Sequence, residues 1–414
     1  RTAPFDAVVV GAGPAGLATG LAFAELGLST ALVGPLADPN DGRTAALFQG
    51  SINFLKRIGA WGEVAPRSEP IEAIRLCDAT NTLFRAPEVT FSAREIGFEA
   101  FGYNVPTAGL TAALEKAANG RVARIATATK SVTVTEAHVE LVTTDDIHIS
   151  APLVAAADGR NSSCRQAAGI AMRTWAYPQS AVVATFSHTR DHGRVSTELH
   201  RRAGPLTVVP MPGKASSLVW VETPQEAQQL AALSESDFAA VLGSHIGGLL
   251  GTLSGFSPRR VYPLSGQTAQ DLGYRRVGLI GEAGHIIPPI GAQGLNLSFR
   301  DAATLAELAA AAKSHDSDPG ANVHPLPAGP YGTASPVRVR VFSSNVTVAG
   351  RSKVILTGLL RSRVQTLTGP NLVHGQEPRP DEYIRPGGSV VAFHEPPWFG
   401  PRPPASVHVH QRIL

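Results

Sequence analysis

The segment Phe5-Asp6-Ala7-Val8-Val9-Val10-Gly11-Ala12-Gly13-Pro14-Ala15-Gly16 constrains this chain more than any other. A short apolar run enters a glycine-rich turn, and Ala15 to Leu26 then has helix-forming composition that stops at Gly27. Ser29 to Val33 reads as a second strand. Two strands joined through a helix pair in parallel, so this is the first unit of a doubly wound sheet. Gly11 permits a tight turn, Gly13 lets the backbone approach a pyrophosphate, and Gly16 allows close helix-strand packing. Ala12, Pro14 and Ala15 complete the turn and lead into the helix N-terminus, where phosphates are held. A glycine-rich turn with no ligand is the competing reading, and the strand-turn-helix context favours a nucleotide.

The rest of the chain is ordinary globular sequence. Its 414 residues, 43% hydrophobic and 17% charged, are enough for two domains with cores of their own. A net charge of +3, with no basic run interleaved with aromatics, argues against nucleic acid. The cysteines are Cys77 and Cys164, with no metal-ligand spacing around them, so neither a disulfide framework nor a metal site is expected. The start lacks a leader pattern, and no stretch reaches the roughly 20 apolar residues that span a bilayer. The expectation is a soluble, cytoplasmic protein able to rest on a membrane surface.

Ile52, Leu55, Ile58 and Trp61 fall on one helix face, and Thr107 to Ala118 reads as another helix. Arg121 to Ile149 suggests a small antiparallel ribbon, followed by an apolar strand at Leu153 to Ala157. Between 181 and 222 the runs AVVATFSH, PLTVVPMP and SSLVWVE read as a second, antiparallel sheet with Trp220 in its core. A helix at Ser234 to Leu250, a strand at Val277 to Gly281 and a long helix at Leu295 to Ala312 follow. Residues 1–75, 98–180 and 265–312 are thus expected to form the dinucleotide domain, and 76–97 and 181–264 an inserted one. The region 313–414 is Pro-rich and unpatterned, and is expected to be poorly ordered.

Two more motifs carry chemistry. Asp158-Gly159-Arg160 ends a strand, followed by Arg165; a carboxylate there suits a cofactor turn, and a plain Asp-Gly turn is an equal alternative. The other runs Gly281-Glu282-Ala283-Gly284-His285, Pro288-Pro289 and Gly291-Ala292-Gln293-Gly294-Leu295-Asn296. Glu282 can accept bonds from a chain of sugar-like hydroxyls, and the helix that opens at Gly294 stabilises negative charge. His285 is either a proton relay or a hydrogen-bonded structural histidine. Where an acid at the end of the second strand would hold a ribose, this chain has Gly34.

Together with DGRTAAL at Asp41 to Leu47, FGYNVP at Phe101 to Pro106 and LVW at Leu218 to Trp220, these segments resemble the aromatic-hydroxylase class of flavoprotein monooxygenases. The likeness is greatest to the ubiquinone-biosynthesis hydroxylases and covers roughly Phe5 to Ala312. It implies an α/β fold: a Rossmann-like, three-layer ββα FAD domain with an inserted, mostly antiparallel β substrate domain, as in p-hydroxybenzoate hydroxylase-like flavoproteins. It also implies FAD as cofactor, NAD(P)H as electron donor, oxygen activated at the flavin C4a position, and an aromatic, polyprenylated phenol as substrate.

By the same resemblance Gly11, Gly13 and Gly16 bind the ADP half. Arg43 lies along the pyrophosphate or ribityl chain, or is a surface ion-pair residue. Asp158 and Gly159 touch FAD and NAD(P)H. Gly281 and Glu282 hold the ribityl hydroxyls, Glu282 standing where the family usually has Asp. Pro289, Gly291, Gln293, Gly294, Leu295 and Asn296 line the isoalloxazine ring. Peripheral contact with an inner membrane and with other quinone-biosynthesis proteins is part of the same expectation. A flavoprotein reductase or epoxidase acting on an isoprenoid, and a degenerate flavin-binding scaffold subunit, are the alternatives. The family continues with helices after the segment matching Leu295 to Ala312, whereas 313–414 does not, and this region is expected to be dispensable for FAD binding.

Overall fold

A computed structural model of the chain describes residues 5–39, 41–80, 82, 85–289, 291–315, 317–320, 323, 382–384, 390–392 and 398. The apolar run forms strand β1 (Ala7–Val10), the turn leads into helix α1 (Pro14–Glu25), and β2 (Thr30–Val33) returns beside β1 in parallel register, Ala7 opposite Thr30. The sheet has six strands in the order Gly273–Tyr274, Val277–Leu279, Leu153–Ala156, β1, β2, Ala123–Ile125. Every residue of β1, β2 and Leu153–Ala156 is buried, as in a parallel sheet covered on both faces.

The two faces are covered differently. Ala7 and Val9 pack with α1, the helix Thr107–Ala118 and the long helix Gln293–Ser314. Val8 and Val10 pack with Val139, Leu141 and Ile149 of a three-stranded antiparallel meander, Thr129–Val134, Val139–Thr143 and His148–Ala151. The fold is therefore three layers, ββα. The expected ribbon from Arg121 to Ile149 is corrected at its start. Ala123–Ile125 pairs in parallel with β2, because it leaves the Thr107–Ala118 helix at the open edge of the main sheet.

A nine-stranded sheet forms the second unit. Its longest strand, Met172–His188, pairs antiparallel with Ala215–Glu222 and Arg260–Ala269, and a bulge lies between Ala176 and Ser180. The sheet thus begins before residue 181 and reaches past 264. One strand runs continuously out of the dinucleotide unit into the inserted sheet, and no composition break marks the crossing. On one face Val182, Phe186, Leu218 and Trp220 bury against Phe238 and Leu242 of the helix Glu235–His245. On the other, Ala181, Val221 and Leu264 are buried while Tyr177, Val183 and Val219 stay partly open.

No helix among the described residues is long and apolar enough to cross a membrane. The expectation for 313–414 falls almost wholly outside the described residues. A two-stranded pairing of Glu382–Ile384 with Val390–Ala392 and the buried Trp398 are described.

Candidate functional site

The glycine turn closes against the sheet as its spacing requires. Gly11 has φ +107°, and a Cβ there would stand 2.1 Å from the Ala157 carbonyl oxygen and 2.9 Å from the Asp158 nitrogen. A Cβ on Gly16 would meet the Gly11 oxygen at 1.8 Å. Gly13 is the opposite case, with nothing within 4 Å of a Cβ. Two glycines are thus needed by the protein's own packing, and the third faces open space at the N-terminus of α1. That terminus has no side-chain cap and no acid in its first turn, so its amides remain available to an anion.

Asp158 leaves the neighbouring strand beside this turn. Its Oδ2 accepts from Ser163 Oγ at 3.1 Å and the Cys164 nitrogen at 3.2 Å. Its Oδ1 is buried without a hydrogen-bond partner, an acceptor that a ligand hydroxyl would satisfy. Burial, with the Asp158 charge alongside, pushes the Cys164 thiol well up, so this buried cysteine is no nucleophile. Arg165, 7% exposed, donates to the Ala283 oxygen at 2.8 Å and the Arg160 oxygen at 3.1 Å. It therefore ties the second motif to the third, a role that the sequence reading did not give it.

Gly281 to Ala283 form one helical turn just beyond Val277–Leu279, a geometry that presents Glu282 outward and exposed. Gly281 has φ +58°, and a Cβ on it would lie 2.6 Å from Ser298 Oγ and 3.8 Å from the Ala15 side chain. First and third motifs, almost 270 residues apart, are thus in contact. His285 Nε2 and the Gly281 nitrogen share one acceptor, Asp301 Oδ2, at 2.7 and 2.9 Å. Burial pulls the His285 pKa down, but the Asp301 charge and hydrogen bond, with Glu282 adding to them, leave it raised.

The long helix opens through two left-handed residues, Gly291 at φ +64° and Ala292 at φ +51°. An alanine held there costs about 1–3 kcal/mol, the kind of strain that collects at ligand sites. Asn296 secures it. Its Nδ2 donates to the Ala292 oxygen at 2.6 Å and the Ala46 oxygen at 2.8 Å, and its Oδ1 accepts from the Phe48 nitrogen at 3.0 Å and Ser51 Oγ at 2.6 Å. The amide is spent on protein partners, so its side chain positions the helix entrance. No side chain caps that helix, whereas Thr223 and Ser234 cap helices in the inserted unit. Gly294 is exposed there, with Gly291, Gln293 and Leu295 half-buried, and Pro289 is exposed just before the turn.

Arg43 grips Asp41 with a 2.8 Å and a 2.9 Å bond. That bond, and then the fields of Tyr262 and Glu282, hold its pKa above the ordinary value. At the far end of the glycine turn, a Cβ on Gly34 would lie 2.7 Å from the Ala12 nitrogen, and the Gly34 oxygen accepts from Arg124 at 2.7 Å. An arginine backed by Glu115 stands where an acid was expected.

Two uncapped helix ends, an unmet carboxylate oxygen and an exposed Glu282 belong to the three motifs, and Gly281 meets Ala15 where the first and third of them touch. Residues 5–319 match the family model described as FAD binding domain. The chain belongs to that family. The ubiquinone hydroxylase UbiL of Rhodospirillum rubrum is 34% identical over 325 residues, covering 76% of this chain and 75% of its own. The 3-demethoxyubiquinol 3-hydroxylase of Escherichia coli is 28% identical, covering 75% of this chain and 81% of its own. Among solved structures, Pseudomonas aeruginosa PqsL with 2-aminobenzoylacetate superposes with a TM-score of 0.64 at 20% identity, over 76% of this chain and 88% of that one. The fold is thus that of FAD-dependent monooxygenases.

Proposed function

We propose that this FAD-dependent monooxygenase hydroxylates the ring of a polyprenylated phenol in ubiquinone biosynthesis, with NAD(P)H as electron donor and dioxygen as co-substrate. The observation that carries the FAD half of this reading is the contact between Ala15 of the glycine turn and Gly281, which brings the first and third motifs together. The substrate half is supported by the ubiquinone hydroxylases among the relatives. It is also supported by the partly open apolar face of the inserted sheet, where Tyr177, Val183 and Val219 surround buried Leu264.

Bound FAD supplies the redox and oxygen-activating chemistry. The chain's own residues bind, orient and shield. The Ala15 and Gly16 amides would hold the pyrophosphate, and Asp158 and Glu282 would accept hydrogen bonds from the cofactor's hydroxyls. Arg43 balances charge along the phosphate or ribityl chain. The uncapped amides at Gln293 to Leu295 would stabilise negative charge on the flavin. His285 acts by holding Asp301 rather than by moving a substrate proton, since its ring is buried and bonded. Contact with a membrane surface and with other quinone-biosynthesis proteins belongs to the same proposal, as a prenylated substrate is delivered from lipid.

The test is NAD(P)H consumption by the flavin-loaded protein with candidate prenylphenols, together with identification of the product. Substrate-dependent oxidation with stoichiometric hydroxylated ring supports the proposal. A reduced or epoxidised isoprenoid would replace it with a different reaction on the same fold, and a protein that stays colourless with FAD would point to a scaffold role.

A further inference from the structure

Trp398 is 2% exposed although it lies far beyond the FAD domain in sequence. Its ring sits 5.6 Å from Phe54 of the helix Gln49–Arg57, and Phe54 in turn sits 5.4 Å from Phe299 of the long helix. The Arg57 guanidinium covers the indole at 4.1 Å. The indole N–H faces the Glu307 carboxyl without a well-aligned hydrogen bond; burial raises that carboxyl's pKa, and the Trp398 N–H and the Arg57 charge oppose the rise. The slot thus has an aromatic floor, a cationic lid and an acidic end, and it lies between two helices.

Those two helices are joined at their N-termini by Asn296, which bonds the Phe48 nitrogen and Ser51 on one and the Ala292 oxygen at the start of the other. Phe299 lies one turn beyond Asn296, and Phe54 one turn beyond Ser51. The aromatic trio therefore packs between the two helices one turn beyond the corner that Asn296 joins, and about two turns beyond the strained entrance at Ala292.

We propose that Trp398 is an intramolecular clamp, a positioning residue of the C-terminal region that seats between the helices Gln49–Arg57 and Gln293–Ser314 and so holds the FAD-facing helix entrance in its binding geometry. This goes beyond the reaction proposed above, and it reverses the expectation that everything after Lys313 is dispensable for FAD binding. Coupling of this kind acts through packed side chains with no contact to the ligand.

The full-length chain, Trp398→Ala, Trp398→Phe and Arg57→Met are compared by FAD titration, read as flavin fluorescence quenching, and by thermal melting. Trp398→Ala weakens FAD binding roughly three- to thirtyfold and lowers Tm by about 5 °C or more. Trp398→Phe recovers most of both, and Arg57→Met moves both in the same direction by less. A Trp398→Ala protein with lowered Tm and unchanged FAD affinity overturns the proposal, because the tryptophan is then packing alone. Unchanged values on both scales overturn it as well. Should Trp398→Ala yield no folded protein, Arg57→Met decides, and wild-type FAD affinity in that variant overturns the clamp. A failure of the flavin assignment would show in the wild type, and a failure of the clamp only in the variants.

Discussion

His285 Nε2 lies 2.7 Å from Asp301 Oδ2, and both side chains are sealed from solvent. The same carboxylate oxygen takes the Gly281 amide, so one buried acid fixes both ends of the turn that presents Glu282. Because the His285 pKa is raised in the fold, its contribution to stability is fully present below an unfolded histidine's pKa of about 6.5. It is lost as pH rises through the higher folded value. Urea melts of wild type and His285→Leu across pH 6 to 9 are expected to show a stability gap that is widest at the acid end and narrows toward the alkaline end. A gap that widens with pH would contradict the charged pair.

Gly11 and Gly13 separate packing from ligand approach. Gly11→Ala drives a methyl into the Ala157 carbonyl at a positive φ, and costs roughly 3 kcal/mol of stability. Gly13→Ala meets nothing in the protein and changes stability by at most about 1 kcal/mol. It nonetheless weakens FAD binding by roughly tenfold or more, since the pyrophosphate needs that space. Thermal melts and flavin content of the two purified variants check the contrast.

Asn296→Ala strips partners from the Phe48 amide, the Ser51 hydroxyl and two carbonyls at once. The expected loss is about 3 kcal/mol, with weakened FAD binding as the Ala292 turn relaxes. Chemical denaturation gives the first quantity and FAD titration the second. Asn296→Asp keeps the acceptor but not the donor, and is expected to fall between.

Glu282→Gln keeps a hydroxyl acceptor but removes the charge facing Arg43, whereas Glu282→Ala removes both. FAD dissociation constants are expected to rise modestly in the first and by about tenfold in the second, the value of one to two hydrogen bonds. Glu282→Asp binding FAD as well as wild type would show that the cleft accepts the shorter acid.

Much of this was legible from local rules. The β1-turn-α1 unit follows from a buried apolar run, glycines with distinct duties and Gly27 at a helix end with φ +79°. The candidate site was readable because its three motifs are short and the first and third are rich in glycine. What the sequence hid were contacts between distant residues whose local surroundings look ordinary. Arg165, Asp301 and Asn104 are examples, the last bonding Pro210 and Ser217 across the two units. Asp301 sits mid-helix with nothing to mark it until folding places it beside Gly281. Asn296 is expected along the ring, and the four bonds of its side chain to protein are a fact that only the Phe48–Ser51 corner reveals. The reach of the inserted sheet was misjudged because Met172–His188 runs unbroken across the boundary.

One FAD bridging the glycine turn and the Gly291–Asn296 helix entrance is the claim beneath all of this, and calorimetric titration of the full-length protein tests it most directly. FAD is predicted to saturate at one per chain, with ADP and FMN each binding more weakly and each being displaced by FAD. ADP that leaves the FAD isotherm unchanged, or an absence of saturable flavin binding, would contradict it.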